Sequence, residues 1–226
     1  EAEKYAKLLE KISTFYPDNG IKPDKMNALA RTYMALGDYS KALKKLRATD
    51  YGFGLMANVI TGTSFVGESI FTYNELPKRF MTNKCLYETG RAAEAKSGYE
   101  KLLKHPGTVS NGDVYWMILF DLGRISEAEG NLDQAVDYYE KAVTVFEEQR
   151  STIRTEASKI GYVGSKQAVY HRLIAALFSQ ARHGKAFEYV ERAKSRALVD
   201  LLAQKKGFAV RRGDPKEIEE ILKKLD

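Results

Sequence analysis

Apolar residues recur at spacings of three and four along most of the chain, most clearly within residues 116–147. This spacing is the period of an amphipathic helix, and Gly130 and Asn131 interrupt it with a turn. Two apolar stripes separated by a short turn predict a pair of antiparallel helices. The stripes consist of Leu119, Leu122, Gly123 and Ser126 before the turn, and of Ala135, Tyr138, Tyr139, Ala142 and Val143 after it.

The same turn followed by an alanine five residues later occurs at other places in the chain. A fourth, weaker copy has Ala181 in the place of the turn glycine, and Gly184 comes late, so we expect a looser turn there. The spacing predicts helix pairs near residues 23–50, 76–104, 116–147 and 168–202. The glycine and alanine of each clear copy are Gly37 and Ala42, Gly90 and Ala95, and Gly130 and Ala135.

The distances between the alanines of successive pairs are 53, 40 and 51 residues. Repeats of two helices have a period of about 34 residues, so the longer distances predict insertions. We expect the apolar residues 51–74 to pack within the stack. The polar residues 150–167 are either a helix extension or a loop on a binding surface. The fold class is therefore all-α, a right-handed α-solenoid with irregular insertions over residues 1–204, followed by a basic linker and a short helix at 205–226.

These helix pairs resemble tetratricopeptide (TPR) repeats. Residues 191–202, with the sequence ERAKSRALVDLL, are similar to the segment that closes the TPR array before the peptidase domain of bacterial TPR–CHAT proteins. The resemblance covers roughly residues 75–204. CHAT domains belong to the caspase-like cysteine peptidases. The resemblance therefore implies a TPR region that binds a partner and regulates a peptidase domain beyond residue 226.

Composition restricts the function only slightly. The formal charge of +6 permits acidic proteins or nucleic acid as partners, and the 44% of apolar residues suffices for a continuous core. No run approaches the ~18 uncharged apolar residues of a membrane span. Cys85 is the only cysteine, which excludes an intrachain disulfide and fits a reducing, cytoplasmic location. The first residues resemble the second helix of an incomplete pair, so we expect a fragment of a longer protein.

The sequence predicts no enzyme, cofactor or metal site in this chain. A caspase-like site needs a cysteine thiolate beside a histidine, whereas Cys85 falls inside a predicted helix. We expect Cys85 to be a small buried apolar side chain. Neither a glycine-rich phosphate loop nor a metal-binding HExxH motif occurs.

The first helix of each pair is expected to line the concave side of the solenoid. Three cations at equivalent positions, Arg31, Lys84 and Arg124, predict a basic row that binds an extended or acidic segment. The alternatives are an ordinary solvated face, or a nucleic-acid surface that acidic residues interrupt. In the second pair, Arg79, Thr82 and Asn83 would face the core, so its register could be shifted by one residue. The predicted lining is Asn27, Arg31, Met34, Phe80, Lys84, Tyr87, Phe120, Arg124, Glu127, His171, Ala175 and Phe178.

A second candidate surface lies on the last predicted helix, residues 187–202. Its apolar residues recur at spacings of three and four, beside the charged residues Arg192, Arg196 and Asp200. The resemblance to the junction in TPR–CHAT proteins implies that these three residues dock a following domain. The alternative is a capping helix with a solvated charged face.

Overall fold

The structure, a computed structural model, describes residues 2–11, 21–48, 75–148 and 166–204. All regular structure within these ranges is helical, which confirms the all-α prediction. The insertion predicted at 51–74, nearly all of that at 150–167, and residues 205–226 lie outside the described residues. The helices are α1 (Ala2–Lys11), α2 (Ile21–Ala35), α3 (Tyr39–Arg47), α4 (Leu76–Glu88), α5 (Ala92–Leu103), α6 (Pro106–Ser110), α7 (Gly112–Ala128), α8 (Leu132–Glu148), α9 (Lys166–Ser179) and α10 (His183–Gln204).

The helices pack as four successive pairs, α2 with α3, α4 with α5, α7 with α8, and α9 with α10. The second helix of each pair also packs on the first helix of the next, and α1 packs on α2. The short helix α6 occupies the connection between the second and third pairs. This connection accounts for the slightly enlarged distance of 40 residues between Ala95 and Ala135. The side chains of His105 and Asn111 cap α6 and α7 by accepting hydrogen bonds from backbone amides.

The turns within the pairs share one conformation. Gly37, Gly90 and Gly130 have φ angles of 76°, 83° and 79°, and Ala181 has 57°. In the third pair the amides of residues 130 and 131 donate to the carbonyls of 127 and 126, at 3.0 and 2.9 Å. In the fourth pair the amides of 181 and 182 donate to those of 178 and 177, both at 3.0 Å. The expectation of a looser fourth turn is therefore wrong: Ala181 adopts the left-handed conformation that a glycine favours.

A glycine lets the two helices approach closely in both the second and the third pair. It lies on the first helix of one pair and on the second helix of the other. In the third pair, a Cβ at Gly123 would lie 2.4 Å from a ring carbon of Tyr139. In the second pair Asn83 takes the position of Gly123, and the small residue is instead Gly98 on α5. A Cβ at Gly98 would lie 2.1 Å from Asn83 Oδ1.

Of the three polar residues expected to face the core of the second pair, Asn83 is buried, Thr82 is half-buried and Arg79 is exposed. The buried side of α4 is instead completed by Phe80 and Lys84, one position after Arg79 and Asn83, as the suspected shift of one residue predicts.

Candidate partner-binding surface

The first helices of the last three pairs are joined side by side by ion pairs. Arg124 of α7 contacts Glu88 of α4, and Arg172 of α9 contacts Glu127 of α7. We call the surface of α2, α4, α7 and α9 that carries the predicted lining the inner face. A second row of ion pairs joins α8 to α10, through Glu140 with Lys185 and Glu147 with Arg192. Charged residues therefore connect neighbouring pairs along both rows of helices.

Lys84 does not form part of an exposed basic row, because its side chain is 1% exposed. Its Nζ lies 2.8 Å from Asp121 Oδ1 and 3.0 Å from Glu88 Oε1. Asp121 is equally buried and accepts a hydrogen bond of 2.7 Å from the hydroxyl of Tyr99. A buried ammonium group is stable only when it is paired, and α7 supplies the carboxylate that pairs it. The sequence analysis did not identify Asp121.

Three apolar residues of the predicted lining are also buried: Met34, Phe80 and Phe120. Phe80 packs against the ring of Tyr99, with ring centroids 6.2 Å apart. Phe120 packs against the ring of Tyr139 at 5.8 Å. Each phenylalanine thus contacts the second helix of its own pair. Since these side chains belong to the core, the prediction that they line an accessible face is wrong.

Arg124 lies at the boundary between this core and the inner face. Its Nη1 donates to Glu88 at 2.8 Å and to Asp121 at 3.3 Å, and its guanidinium lies 4.5 Å from the ring centroid of Tyr87. Burial disfavours the charge of Arg124, but the bond to Glu88 and the charge of Asp121 outweigh it and raise its pKa. Burial by itself would raise the pKa of Glu88. Its bonds with Arg124 and Lys84 outweigh this effect, so the pKa of Glu88 lies below its ordinary value. Both groups therefore stay charged.

Arg172 is a residue of the inner face that the sequence analysis missed. Its Nη1 donates to Glu127 Oε2 at 2.9 Å, and the hydroxyl of Tyr139 donates to the same oxygen at 2.6 Å. The Arg172 side chain is 43% exposed. Burial lowers the pKa of Arg172, and the charge of Arg124 lowers it more weakly, but the bond to Glu127 outweighs both and raises it. The predicted lining contains His171, the preceding residue, and differs from the observed arrangement by a rotation of one residue around α9.

The other predicted residues have different surroundings. Asn27 and Arg31 are half-buried on α2, whereas His171, Ala175 and Phe178 are exposed on α9. Of the residues predicted to dock a following domain, Arg192 forms an ion pair with Glu147 and lies 4.9 Å from the ring centroid of Tyr189. The side chains of Arg196 and Asp200 lie outside the described residues. Their role in docking stays a prediction.

Cys85 is buried in α4, and burial raises the pKa of its thiol to about 12. The thiol is therefore protonated at neutral pH and is a poor nucleophile. Within the described ranges, no three His, Cys, Asp or Glu side chains cluster as they would around a metal ion. None of the helices described is both long and apolar enough to span a lipid bilayer.

Comparison with known proteins agrees with this architecture. Models of the tetratricopeptide repeat family match residues 26–49 and 118–149. A crystal structure of MamA is similar over 88% of this chain and 91% of its own, with a TM-score of 0.53 and 14% identity.

A crystal structure of a putative kinesin light chain from Podosopora anserina, with nearly identical TPR-like repeats, is similar as well. It covers 86% of this chain and 85% of its own, with a TM-score of 0.50 and 20% identity. No curated protein matches the sequence. At these identities the structural likeness concerns the fold alone, and the family models identify tetratricopeptide repeats at residues 26–49 and 118–149.

Proposed function

We propose that the chain is a protein-interaction scaffold whose inner face binds an extended acidic segment of a partner. The observation that carries the proposal is the neighbourhood of Arg124 and Arg172. Both reach the surface, and each makes its ion pairs through Nη1. A guanidinium has five N–H donors in a planar fork that matches a carboxylate. In this proposal a carboxylate of the partner accepts hydrogen bonds from further N–H groups of the two guanidinium groups.

The surroundings of the two arginines favour a peptide. The ring of Tyr87 lies under Arg124 and offers apolar surface beside the cations. Half-buried Asn27 and Arg31 extend the proposed surface along α2, and exposed His171 extends it along α9. An extended segment with both carboxylates and apolar side chains would contact the arginines and the ring of Tyr87 together.

Charge balance argues against the alternative, a nucleic-acid surface. Lys84, Arg124 and Arg172 face three carboxylates, which are those of Glu88, Asp121 and Glu127. The cluster is therefore neutral as a whole. Nucleic-acid binding draws its affinity from an excess of cations along the phosphate backbone. A neutral cluster with directed N–H donors selects ligands by geometry instead of by charge density.

The test uses two labelled ten-residue peptides in which leucine alternates with either glutamate or glutamine. We expect the glutamate peptide to bind at least about tenfold more tightly, because each carboxylate–arginine bond contributes about 1.5–3 kcal/mol. The substitution Arg172→Gln should abolish this preference. Fluorescence anisotropy measures both affinities.

The matched control is Lys185→Gln. Lys185 pairs with Glu140 and has a similar exposure to Arg172, but lies on α10, away from the inner face. We expect this variant to bind as the unaltered chain does. Equal loss in both variants, or equal affinity for the two peptides, would contradict the proposal. Tighter binding of single-stranded DNA, with a steep dependence on salt, would favour the nucleic-acid alternative.

The resemblance of residues 191–202 to the end of the array in TPR–CHAT proteins supports a finer proposal. In it, the partner-binding array regulates a caspase-like peptidase domain of the same parent protein, and Arg192, Arg196 and Asp200 contact that domain. The coding sequence beyond residue 226 should then encode a caspase-like histidine and cysteine. A stop codon, or an unrelated domain, would refute this part of the proposal and leave the scaffold function intact.

A further inference from the structure

We propose that Glu127 determines the charge specificity of the inner face, by opposing the phosphate backbone of nucleic acids while an acidic peptide still binds. The inference rests on the proposed function, because it concerns the same face and the same two arginines. Arg124 and Arg172 supply N–H donors that would serve a phosphate group as well as a carboxylate. Discrimination between these ligands therefore has to come from another group, and Glu127 has the position and the rigidity for it.

Glu127 is the most exposed of the three carboxylates in this cluster. Its side chain is 30% exposed, against 23% for Glu88 and 1% for Asp121. Glu127 lies three residues after Arg124 on α7, so the two side chains share one side of that helix. Its Oε2 accepts a hydrogen bond of 2.9 Å from Arg172 of α9. An anion that approaches either arginine therefore also approaches Glu127.

A hydrogen bond from the core holds Glu127 in place. The hydroxyl of Tyr139, a buried residue of α8, donates to Glu127 Oε2 at 2.6 Å. Gly123 makes this contact possible, because a Cβ there would lie 2.4 Å from the ring of Tyr139. Burial and the bond to Glu127 raise the pKa of Tyr139 well above its ordinary value, so the hydroxyl keeps its proton and stays a donor. Glu127 consequently cannot rotate away from Arg172 without losing two hydrogen bonds.

The other three pairs have no acidic residue at the equivalent position. Counted back from the turn, the residues that correspond to Glu127 are Met34, Tyr87 and Phe178. In the second pair Tyr99 takes the place of Tyr139, but its hydroxyl donates to Asp121 of the next pair instead of to its own first helix. A carboxylate fixed by its own pair at this position is thus a feature of the third pair.

Peptides and nucleic acids differ in whether they can avoid this carboxylate. A nucleic acid carries a negative charge on every nucleotide, and its affinity comes from accumulated phosphate contacts. A strand held by Arg172 would bring successive phosphates near Glu127, and like charges brought together at an interface suppress binding. In a peptide the residues on either side of a bound carboxylate can be uncharged, so the repulsion is smaller. Glu127 therefore selects against one class of ligand without removing the donors that bind the other.

The test measures the binding of a short, labelled, single-stranded oligothymidylate to Glu127→Gln and to the unaltered chain, by fluorescence anisotropy. The amide oxygen of glutamine still accepts hydrogen bonds from Tyr139 and Arg172, so the substitution removes the charge and retains the geometry. One additional phosphate contact steepens the slope of log affinity against log salt by about 0.7 for a single strand. We expect this change of slope, and a gain in affinity of about tenfold at about 50 mM salt.

Glu147→Gln is the matched control. Glu147 likewise accepts hydrogen bonds from a tyrosine and an arginine, Tyr170 and Arg192, and its side chain is 29% exposed. It belongs to the second row of ion pairs, between α8 and α10, away from the inner face. Both substitutions change the net charge of the chain equally. We expect Glu147→Gln to change the affinity for the oligothymidylate by less than about twofold.

Equal affinity and salt slope in Glu127→Gln and the unaltered chain would overturn the inference. An equal gain in Glu147→Gln would do so too, because it would show a response to net charge alone. Glu127→Gln should keep the preference for the glutamate peptide over the glutamine peptide, and loss of that preference would also count against the inference. If the unaltered chain binds both peptides equally, the proposed function fails, whereas a gain in DNA binding confined to Glu127→Gln would still support the role of Glu127.

Discussion

Removing the carboxylate of Asp121 should destabilise this protein far more than removing the lysine it pairs with. Asp121 accepts hydrogen bonds from Lys84 at 2.8 Å and Tyr99 at 2.7 Å, and from Arg124 at 3.3 Å. It is thus the acceptor shared by three donors from α4, α5 and α7. Asp121→Ala would remove the nearer carboxylate partner of the buried ammonium of Lys84 and the oxygen that accepts the 2.7 Å hydrogen bond from the hydroxyl of Tyr99.

The two single substitutions differ in how many contacts the remaining buried charge keeps. Breaking a buried ion pair by removing one partner costs about 3–5 kcal/mol, and we expect Asp121→Ala to fall in this range. Lys84→Met leaves Asp121 paired with Tyr99 and Arg124, and fills the space with an apolar side chain of similar length. We expect this variant to lose about 1–2 kcal/mol. The double variant should lose less than the sum of both, because the substitutions remove the same contact.

Urea unfolding, followed by circular dichroism and by the fluorescence of buried Trp116, measures these differences. Glu129→Ala is the matched control, because Glu129 pairs with Lys96 at the surface, and we expect it to change the free energy of unfolding by less than about 0.5 kcal/mol. A cost below about 1 kcal/mol for Asp121→Ala, or a cost for Lys84→Met that equals it, would refute the reasoning.

Three further predictions concern the turns, the helix packing and the acid side of the pH range. Ala181→Gly should raise the free energy of unfolding by about 0.5–1 kcal/mol because φ is 57° there, and Gly130→Ala should lower it, as urea titrations can measure. Gly98→Ala should cost about 1–3 kcal/mol by overpacking against Asn83, and Asn83→Ala in the same chain should recover most of that loss in the same titrations. Because the pKa of Glu88 lies below its ordinary value of 4.5 in the folded state, its stabilising effect is complete above that pH and is lost as the pH falls. The melting temperature should therefore drop as the pH falls below about 4.5, and less steeply in Glu88→Gln; equal slopes would contradict this assignment.

The helix pairs and their turns could be predicted from the sequence because both are encoded locally. A spacing of three and four identifies a helix face, and a glycine followed by an alanine five residues later identifies the turn. The fourth turn shows where this reasoning was incomplete. Ala181 takes a left-handed conformation because the hydrogen bonds of the turn require it, despite the cost to a side chain with a Cβ.

The inner face could be predicted only in part. Arg124 and Tyr87 do reach it, but Lys84, Phe80 and Phe120 are buried, and Arg172 was missed. Helical periodicity indicates which side of a helix a residue occupies, but it does not indicate how closely the next pair of helices covers that side. Asp121 contacts Lys84 across 37 positions of sequence, between helices of different pairs.

The sequence by itself therefore determined the helices, their pairing and the positions of the turns between them, since these depend on residues a few positions apart. Only the tertiary structure decided which charges are exposed and which are paired. That outcome depends on the distance and rotation between successive pairs, and these follow from the packing of large and small side chains that lie far apart in the chain.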